Sequence, residues 1–493
     1  MMPAYALMLP VLTPIVAACV VLLHDGPRWR RGVLLGTSVV LVAVATWLLI
    51  IADGGAYSVY RLGDWPVPVG IVLVLDRLSA AMLLLSAIVG VLGAWRASDG
   101  TDRAAPHFHT LYLLQLAGLN GAFLAGDLFN LFVFFELLLI ASYALMVYGS
   151  TTPRLRAGIH YVVLNLVGSS LFLVAIGVLY GVAGSLNLAD LAVRIAAAPA
   201  ADTALLRSGA LLLLVVFALK AAAAPLSFWL PGAYSAATPA VAALFAIMTK
   251  VGVYAIMRTG TLLFGSEAGA VANVFTPWLT GAAVATIAVG ALAAFGATSV
   301  VRMVAALLVV SVGTMLCAVA LFTEQALAAA LFYLVHSTLA AAAMFLVAGM
   351  VPARETTRVT TGTLFTIGAL AIAGVPPLAG FLGKALILQA TPPDARGLWI
   401  WSAVLGSSAL AVIALARVGM VSFWEATTVR DLHDEAPMRT RPSSGYPAGG
   451  ALLVIILLTV FAGPAGDYAR RTAQQLVTEN GYVQAVLSTP GGR

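Results

Sequence analysis

FALKAAAAPLSFWLPG, residues 217–232, sets Lys220 in an apolar run, with Pro225 five residues later and Pro231 beyond it. Proline removes a backbone donor and clashes with the preceding turn, so the helix carrying Lys220 is expected to break just after it. The combination recurs in GVPPLAGFLGKALIL, residues 374–388, where Pro376, Pro377, Gly380 and Gly383 lead into Lys384. Carbonyls freed by such breaks are tolerated at membrane depth only inside protein or beside water. Paired interruptions at corresponding positions are the sequence sign of an inverted-repeat transporter. Either break alone also reads as an ordinary proline kink; a lysine beside each weighs against that.

The chain has only three lysines among 26 basic residues, and the third, Lys250 in AIMTKVGVY, is also inside an apolar run. The loops use arginine. A desolvated lysine can release its proton, whereas an arginine in a protein cannot. A charge at membrane depth costs at least ~2.5–3.5 kcal/mol, which makes each of these lysines a functional hypothesis. Titratable cations in lipid and none in the loops point to a protein that moves protons.

The membrane assignment rests on composition. Apolar residues make up 61% of the 493, charged residues 9%, and the mean hydropathy is +1.01. Runs long enough to cross ~30 Å of hydrocarbon recur from 3–23 to 448–465. The expected fold is all-α and integral to the membrane, with about fourteen transmembrane helices, the seventh and twelfth discontinuous. Two five-helix units then fit as inverted repeats, since an odd repeat length reverses topology. The expected division is 1–107 for the first three helices, 108–258 for helices four to eight and 272–423 for nine to thirteen. Residues 424–493 would hold a polar loop, the last helix and an amphipathic tail. The first run has no basic region before it and reads as a retained helix, unlike a cleaved signal peptide.

Arginine orients the bundle. If the loop holding Arg28, Arg30 and Arg31 is cytoplasmic, alternation gathers thirteen arginines on that face and eight on the other. The excess places both termini outside a plasma membrane. The net charge of +6 is thereby a topology signal with no nucleic-acid footprint. Cys19 and Cys317 both fall in apolar runs, so neither a disulfide framework nor a CxxC metal site is expected.

Few other ionisable groups enter the spans. Glu136 lies nine residues beyond Asp127, about 13–14 Å along a helix and near mid-bilayer. Lys220, Lys250 and His336 fall at similar depth in their runs, so a polar row parallel to the membrane is expected, with Lys384 towards the outer side. Plainer readings stand beside these. Glu136 can be a structural ion-pair partner, Lys250 can cap a broken helix, and His336 can be a hydrogen-bonded core histidine. Asp127 reads as a helix N-cap or as an auxiliary group at an ion entrance. Asp76 and Arg77, at the start of the third run, read at least as well as structural residues.

At GAFLAGDLFNLFVFFELLLIASYAL (121–145) the chain closely resembles the D subunits of Mrp-type multisubunit Na⁺/H⁺ antiporters, relatives of the antiporter-like subunits of complex I. The resemblance runs on through FALKAAAAPLSFWLPGAYSAATPAVAALFAIMTKVGVYAIMRT (217–259) and GVPPLAGFLGKALIL (374–388). It implies the fourteen-helix, inverted-repeat fold and carries the family's relay residues onto Glu136, Lys220, Lys250, His336 and Lys384. It also implies other antiporter subunits as partners. Two departures stand out. The family's lysine five residues after the histidine is Ala341 here, and the basic start of the tenth helix is reduced to Arg302. Water is therefore expected to bridge His336 and Lys384.

The mechanism expected is a proton relay. Glu136 would hold a proton on Lys220 until a cation or a neighbouring subunit weakens the pair. The proton would then pass by Lys250 and His336 to Lys384 and an outward half-channel. A proton-pumping subunit of a complex I-like or hydrogenase assembly is the nearest alternative, and a non-transporting membrane scaffold is the alternative of another class. No nucleophile–base pair, metal-ligand cluster or phosphate loop is legible, so no enzyme activity, cofactor or metal is expected.

Overall fold

The computed structural model describes residues 4–24, 26–67, 69–350, 355–423 and 445–488. Helices dominate it. The first three, α1 (Leu9–Leu22), α2 (Pro27–Asp53) and α3 (Arg77–Ala97), are interrupted by a hairpin of β1 (Ser58–Arg61) and β2 (Val72–Leu75). Then come α4 (Phe108–Leu124), α5 (Leu128–Met146), the long α6 (Thr152–Ala183) and short α7 (Leu188–Ala196). The next stretch is segmented into α8 (Thr203–Ala221), α9 (Trp229–Ala236), α10 (Pro239–Phe245) and α11 (Met248–Leu262). After α12 (Thr276–Phe295), α13 (Val300–Val319) and α14 (Glu324–Ala348) come α15 (Glu355–Ala373) and α16 (Ala379–Gln389). The chain closes with α17 (Ala395–Phe423), α18 (Tyr446–Val460), α19 (Ala462–Val477) and α20 (Glu479–Leu487).

Among the described residues, eleven helical stretches are long and apolar enough to cross a membrane, and twelve if the pair α18 and α19, bent by 79°, counts as one. The protein is thus a multi-pass membrane protein. The expectation was about fourteen, two of them discontinuous, against these eleven or twelve among the described residues. Helix α4 is only 17 residues long, and the run at 361–391 is cut into α15 and α16 by Gly374–Leu378. The third apolar run is also corrected: its VLVL start is strand β2, paired antiparallel with β1 so that Ser58 faces Leu75, and the helix begins only at Arg77. The polar loop expected at 425–447 lies almost wholly outside the described residues, as does Arg354. The amphipathic tail is a helix, α19, with Ala469, Thr472, Ala473 and Leu476 buried.

Burial separates centre from perimeter. The apolar window of Pro239–Leu262 is entirely buried and that of Glu324–Ala348 94% buried, against 28% for Pro27–Asp53 and 33% for Ala395–Phe423. A helix apolar on every face and little buried by its own chain is suited to face lipid or another membrane subunit. The central helices pack at backbone distance. A side chain at Gly252 of α11 would place its Cβ 2.5 Å from the Ala221 nitrogen and 2.7 Å from the Phe217 oxygen of α8. Such close approach between membrane helices requires small residues. It also brings the helix segments carrying Lys220 and Lys250 together at one level.

A buried ion pair ties the outer elements to this centre. Asp76 caps α3, accepting from the Ser79 nitrogen at 2.9 Å while its own N–H donates to Ser79 Oγ at 2.9 Å. The same carboxylate receives both Arg258 amino groups, at 2.6 and 2.9 Å. Arg258 also lies over the rings of Tyr254 and Tyr482, so α3, α11 and α20 share one anchor. Burial pushes the Asp76 carboxyl up, but Arg258 and Ser79 outweigh it and hold the group below its ordinary value. A carboxyl so depressed stabilises the fold above its unfolded pKa of ~3.9 and loses that contribution as pH falls through the folded value. Asp76→Asn, which strands the buried guanidinium, is expected to cost about 3–5 kcal/mol at neutral pH. Thermal unfolding in detergent should show that deficit at pH 7 and its loss below pH ~4.

Candidate functional site

The break after Lys220 forms as the prolines dictate. Helix α8 ends at Ala221, Ala222 takes a left-handed conformation, and regular helix resumes only at Trp229. Lys220 thus stands in the last turn of α8, where the negative end of the helix dipole favours a cation. Its Nζ donates to the Asn165 backbone oxygen at 3.2 Å and side-chain oxygen at 3.3 Å, and lies 3.5 Å from Ser169 Oγ. Ser169 in turn donates to the Glu136 carboxylate. Glu136 and Lys220 therefore meet through a hydroxyl of α6, without a direct ion pair. A serine has one proton and two lone pairs, so it accepts from the ammonium while donating to the carboxylate.

Lys250 is fully buried in the first turn of α11, just past a step at Ala246–Ile247 where the turn tightens to i→i+3 bonds while the backbone stays right-handed helical. Its Nζ donates to Thr249 Oγ1 at 3.3 Å. No carboxylate of the described residues pairs with it.

At the second break, the two remaining groups reach carbonyls of the last turn of α15, that of Ala371 also accepting from the Gly374 nitrogen at 3.2 Å. His336 Nε2 lies 3.0 Å from the Ala371 oxygen, and Lys384 Nζ lies 2.7 Å from the Ala373 oxygen and 2.9 Å from Ser408 Oγ of α17. The His336 Nδ1 is buried and has no partner. A cavity lined by both His336 and Lys384, and by Ser311, Ser337 and Ala341, offers about 10 Å³ to water centres, the space of roughly one water molecule. Ala341, short where the family has a lysine, is thus where the gap opens. A larger groove of about 500 Å³ between α16 and α17 runs from the other side of Lys384 towards Gln389 and Trp401. Lys384 lines both.

The site residues are therefore brought into two groups, Glu136 with Lys220 and His336 with Lys384, and Lys250 sits on the helix packed against α8. Asp127 joins neither group. Its Oδ1 caps α5 through the Asn130 nitrogen at 2.5 Å, which is the structural reading of that residue, and its buried Oδ2 has no partner.

Residues 125–411 match the family described as NADH:quinone oxidoreductase/Mrp antiporter, TM. The D subunit of a probable K⁺/H⁺ antiporter of Rhizobium meliloti is 38% identical, with 99% of this chain and 98% of that one aligned. The chain belongs to the D-subunit family of Mrp-type multisubunit cation/proton antiporters. The D subunit of a Na⁺/H⁺ antiporter of Bacillus subtilis is 34% identical over 97% of this chain and 98% of its own length. Among solved structures, a chain of the Mrp complex of Dietzia sp. superposes with a TM-score of 0.88 at 26% identity, covering 99% of this chain and 100% of that one. As a member of this antiporter family, the chain is a transporter subunit, not an enzyme.

Four side chains of this Mrp-type site escaped the sequence reading: Asn165, Ser169, Thr249 and Ser408. The first two had a signal, because polar residues four apart in NLVGS lie on one helix face. A glycine also escaped it. A Cβ at Gly380 would sit 2.5 Å from both the Ala371 oxygen and His336 Nε2, so only glycine lets α16 approach their hydrogen bond.

Two substitutions test this geometry. Ser169→Ala removes the hydroxyl linking Glu136 to Lys220, and antiport by vesicles containing the assembled complex should fall at least about tenfold, with complex yield unchanged. Gly380→Ala should displace His336 from Ala371 and depress transport comparably, whereas the nearby exposed change Leu382→Ile, outside the groove, should not. Equal rates for Gly380→Ala and wild type would remove the close approach from the mechanism.

Proposed function

We propose that this chain is the proton-translocating subunit of a multisubunit monovalent cation/proton antiporter, working with other Mrp subunits through a Glu136–Ser169–Lys220, Lys250, His336 and Lys384 relay. The observation that carries the reading is the carboxylate–hydroxyl–ammonium chain beside a broken helix. Ser169 can pass its proton to Glu136 as it takes one from Lys220. A cation or subunit movement that draws the Glu136 charge away would instead free the Lys220 proton towards Lys250. His336 and the single-water cavity then lead to Lys384, and the groove along α16 and α17 supplies the exit.

The finer architecture belongs to the same proposal. If α4, the α15–α16 pair and the bent α18–α19 segment each cross the bilayer, they add three crossings to the eleven, giving fourteen. Helices α4 to α11 and α12 to α17 then form the inverted repeats, close to the divisions 108–258 and 272–423, with both termini on the outer side. The named relatives divide over the cation: potassium in Rhizobium meliloti and sodium in Bacillus subtilis. Sodium, expected from the sequence, therefore needs to be tested against potassium.

A redox-driven pump is the second reading. It has support from a chain of an archaeal membrane-bound sulfane sulfur reductase, alike at a TM-score of 0.85 and 26% identity. The full-length antiporter relatives, at higher identity, favour exchange.

The test is Lys220→Ala and Lys220→Arg in everted vesicles holding the assembled complex, with the dissipation of a proton gradient followed on adding Na⁺ or K⁺. Both variants should fall to the level of vesicles lacking the complex, since an arginine keeps the charge but does not release its proton. Wild-type exchange by Lys220→Arg would reduce the lysine to a fixed charge and favour the scaffold reading.

A further inference from the structure

A cavity of about 1170 Å³ opens where the starts of α6 and α13 meet the short helix α9, apart from the relay residues. Three basic side chains line it: Arg156 and His160 from α6, and Arg302 from α13. No carboxylate is among its lining residues, and none of the three has a hydrogen-bond or ion-pair partner among the described residues. Their neighbour behaves differently. Arg154, two residues before Arg156, is committed to the Ala236 and Tyr148 carbonyls at 3.0 Å each. A mouth bearing this charge repels the cations the transporter carries, so it is a poor entrance for them. It is suited to an anion.

The wall beside the mouth identifies which anion. The exposed face of α6 starts with Arg156 and His160 and continues as Ile159, Val163, Leu166 and Val167, all exposed. Phe228, 60% exposed, lines the cavity itself, and Leu292 and Phe295 of α12 are exposed next to its Ala293 and Gly296 lining. Two turns of α6, about 10 Å, carry the surface from guanidinium to continuous hydrocarbon. The backbone N–H groups at the starts of α6 and α13 add donors at the charged end, Ser299 capping α13 there. The ligand must have a negative head and an apolar tail, and both must be reached from the plane of the membrane.

We infer that Arg156, His160 and Arg302 form a headgroup site for an anionic phospholipid whose acyl chains lie along the exposed face of α6. The site is independent of the relay and stands or falls separately from it.

The experiment uses the assembled complex, purified in a neutral detergent and stripped of lipid, with phosphatidylglycerol, phosphatidylcholine and inorganic phosphate as separate probes. Bound lipid is counted by native mass spectrometry. Arg156→Gln/Arg302→Gln is compared with Arg156→Lys/Arg302→Lys and with wild type. The expected result is phosphatidylglycerol retained by wild type and by the lysine pair, and held roughly thirtyfold more weakly by the glutamine pair, two cations being removed from a phosphate. Phosphatidylcholine should not distinguish the variants, and millimolar inorganic phosphate should not displace phosphatidylglycerol. Four outcomes overturn the inference. One is undiminished phosphatidylglycerol on the glutamine pair, and another is an equal loss of phosphatidylcholine. Displacement by inorganic phosphate would mean a free-anion site. Absence of the lipid from the wild-type complex would mean that another subunit covers this face.

Discussion

A buried ammonium and a buried carbonyl without a helical partner each carry a large cost in hydrocarbon, and in this protein they cancel against each other. Lys384 Nζ sits on the Ala373 oxygen, a carbonyl released where α15 stops, and His336 Nε2 faces the Ala371 oxygen, which also accepts from the Gly374 nitrogen at 3.2 Å. Lipid offers such groups no partner, so they must be met by protein or by enclosed water. Closing the helix would take the Ala373 carbonyl away from Lys384, and removing Lys384 would leave that carbonyl without a partner among the described residues. Fold and site are held by the same bonds, and so the irregular backbone persists at a depth where regular helix is the rule.

The two breaks solve this problem differently. At the first, the lysine precedes the break and its Nζ reaches the neighbouring helix α6, where Asn165 and Ser169 link it to a carboxylate. At the second, the lysine follows the break and reaches back to it, and its other partner is the neutral hydroxyl of Ser408. Glu136 is the only anion among the five relay residues. A change of charge near the Glu136 end is therefore felt first by Lys220, while the Lys384 end responds chiefly to the backbone of α15 and to its groove. Lys250, on the helix packed against α8, has one neutral acceptor among the described residues, Thr249 Oγ1 at 3.3 Å.

What the sequence made legible follows from which features act locally. Proline acts on its own backbone, so both breaks could be placed to within a few residues. Charge in an apolar run has few explanations, and the five titratable residues were found for that reason. Short hydroxyls and amides were not, because a serine in a helix ordinarily bonds its own preceding turn, as Ser142 does with Leu139. Within SSLFL itself Ser169, which bridges Glu136 and Lys220, looks like Ser170, which bonds Leu166 and is exposed; only Asn165, four residues earlier, sets Ser169 apart. The step at Ala246–Ile247 has neither proline nor glycine to announce it. Strand β2 was hidden for the converse reason: VLVL continues an apolar run, and its partner lies across a turn of little hydropathy.

His336 shows how the broken helix can govern transport as well as permit it. A carbonyl only accepts, so the His336–Ala371 bond places the hydrogen on Nε2 and leaves Nδ1 as the open position of a neutral ring. A proton arriving at Nδ1 can go back the way it came. To leave by Nε2 it must first lose the Ala371 carbonyl, and that carbonyl belongs to the last turn of α15. Gly380 lets α16 pack against this bond, a Cβ there falling 2.5 Å from both of its atoms. In the proposed relay, passage through the ring therefore requires the bond to Ala371, at the end of the broken helix, to open.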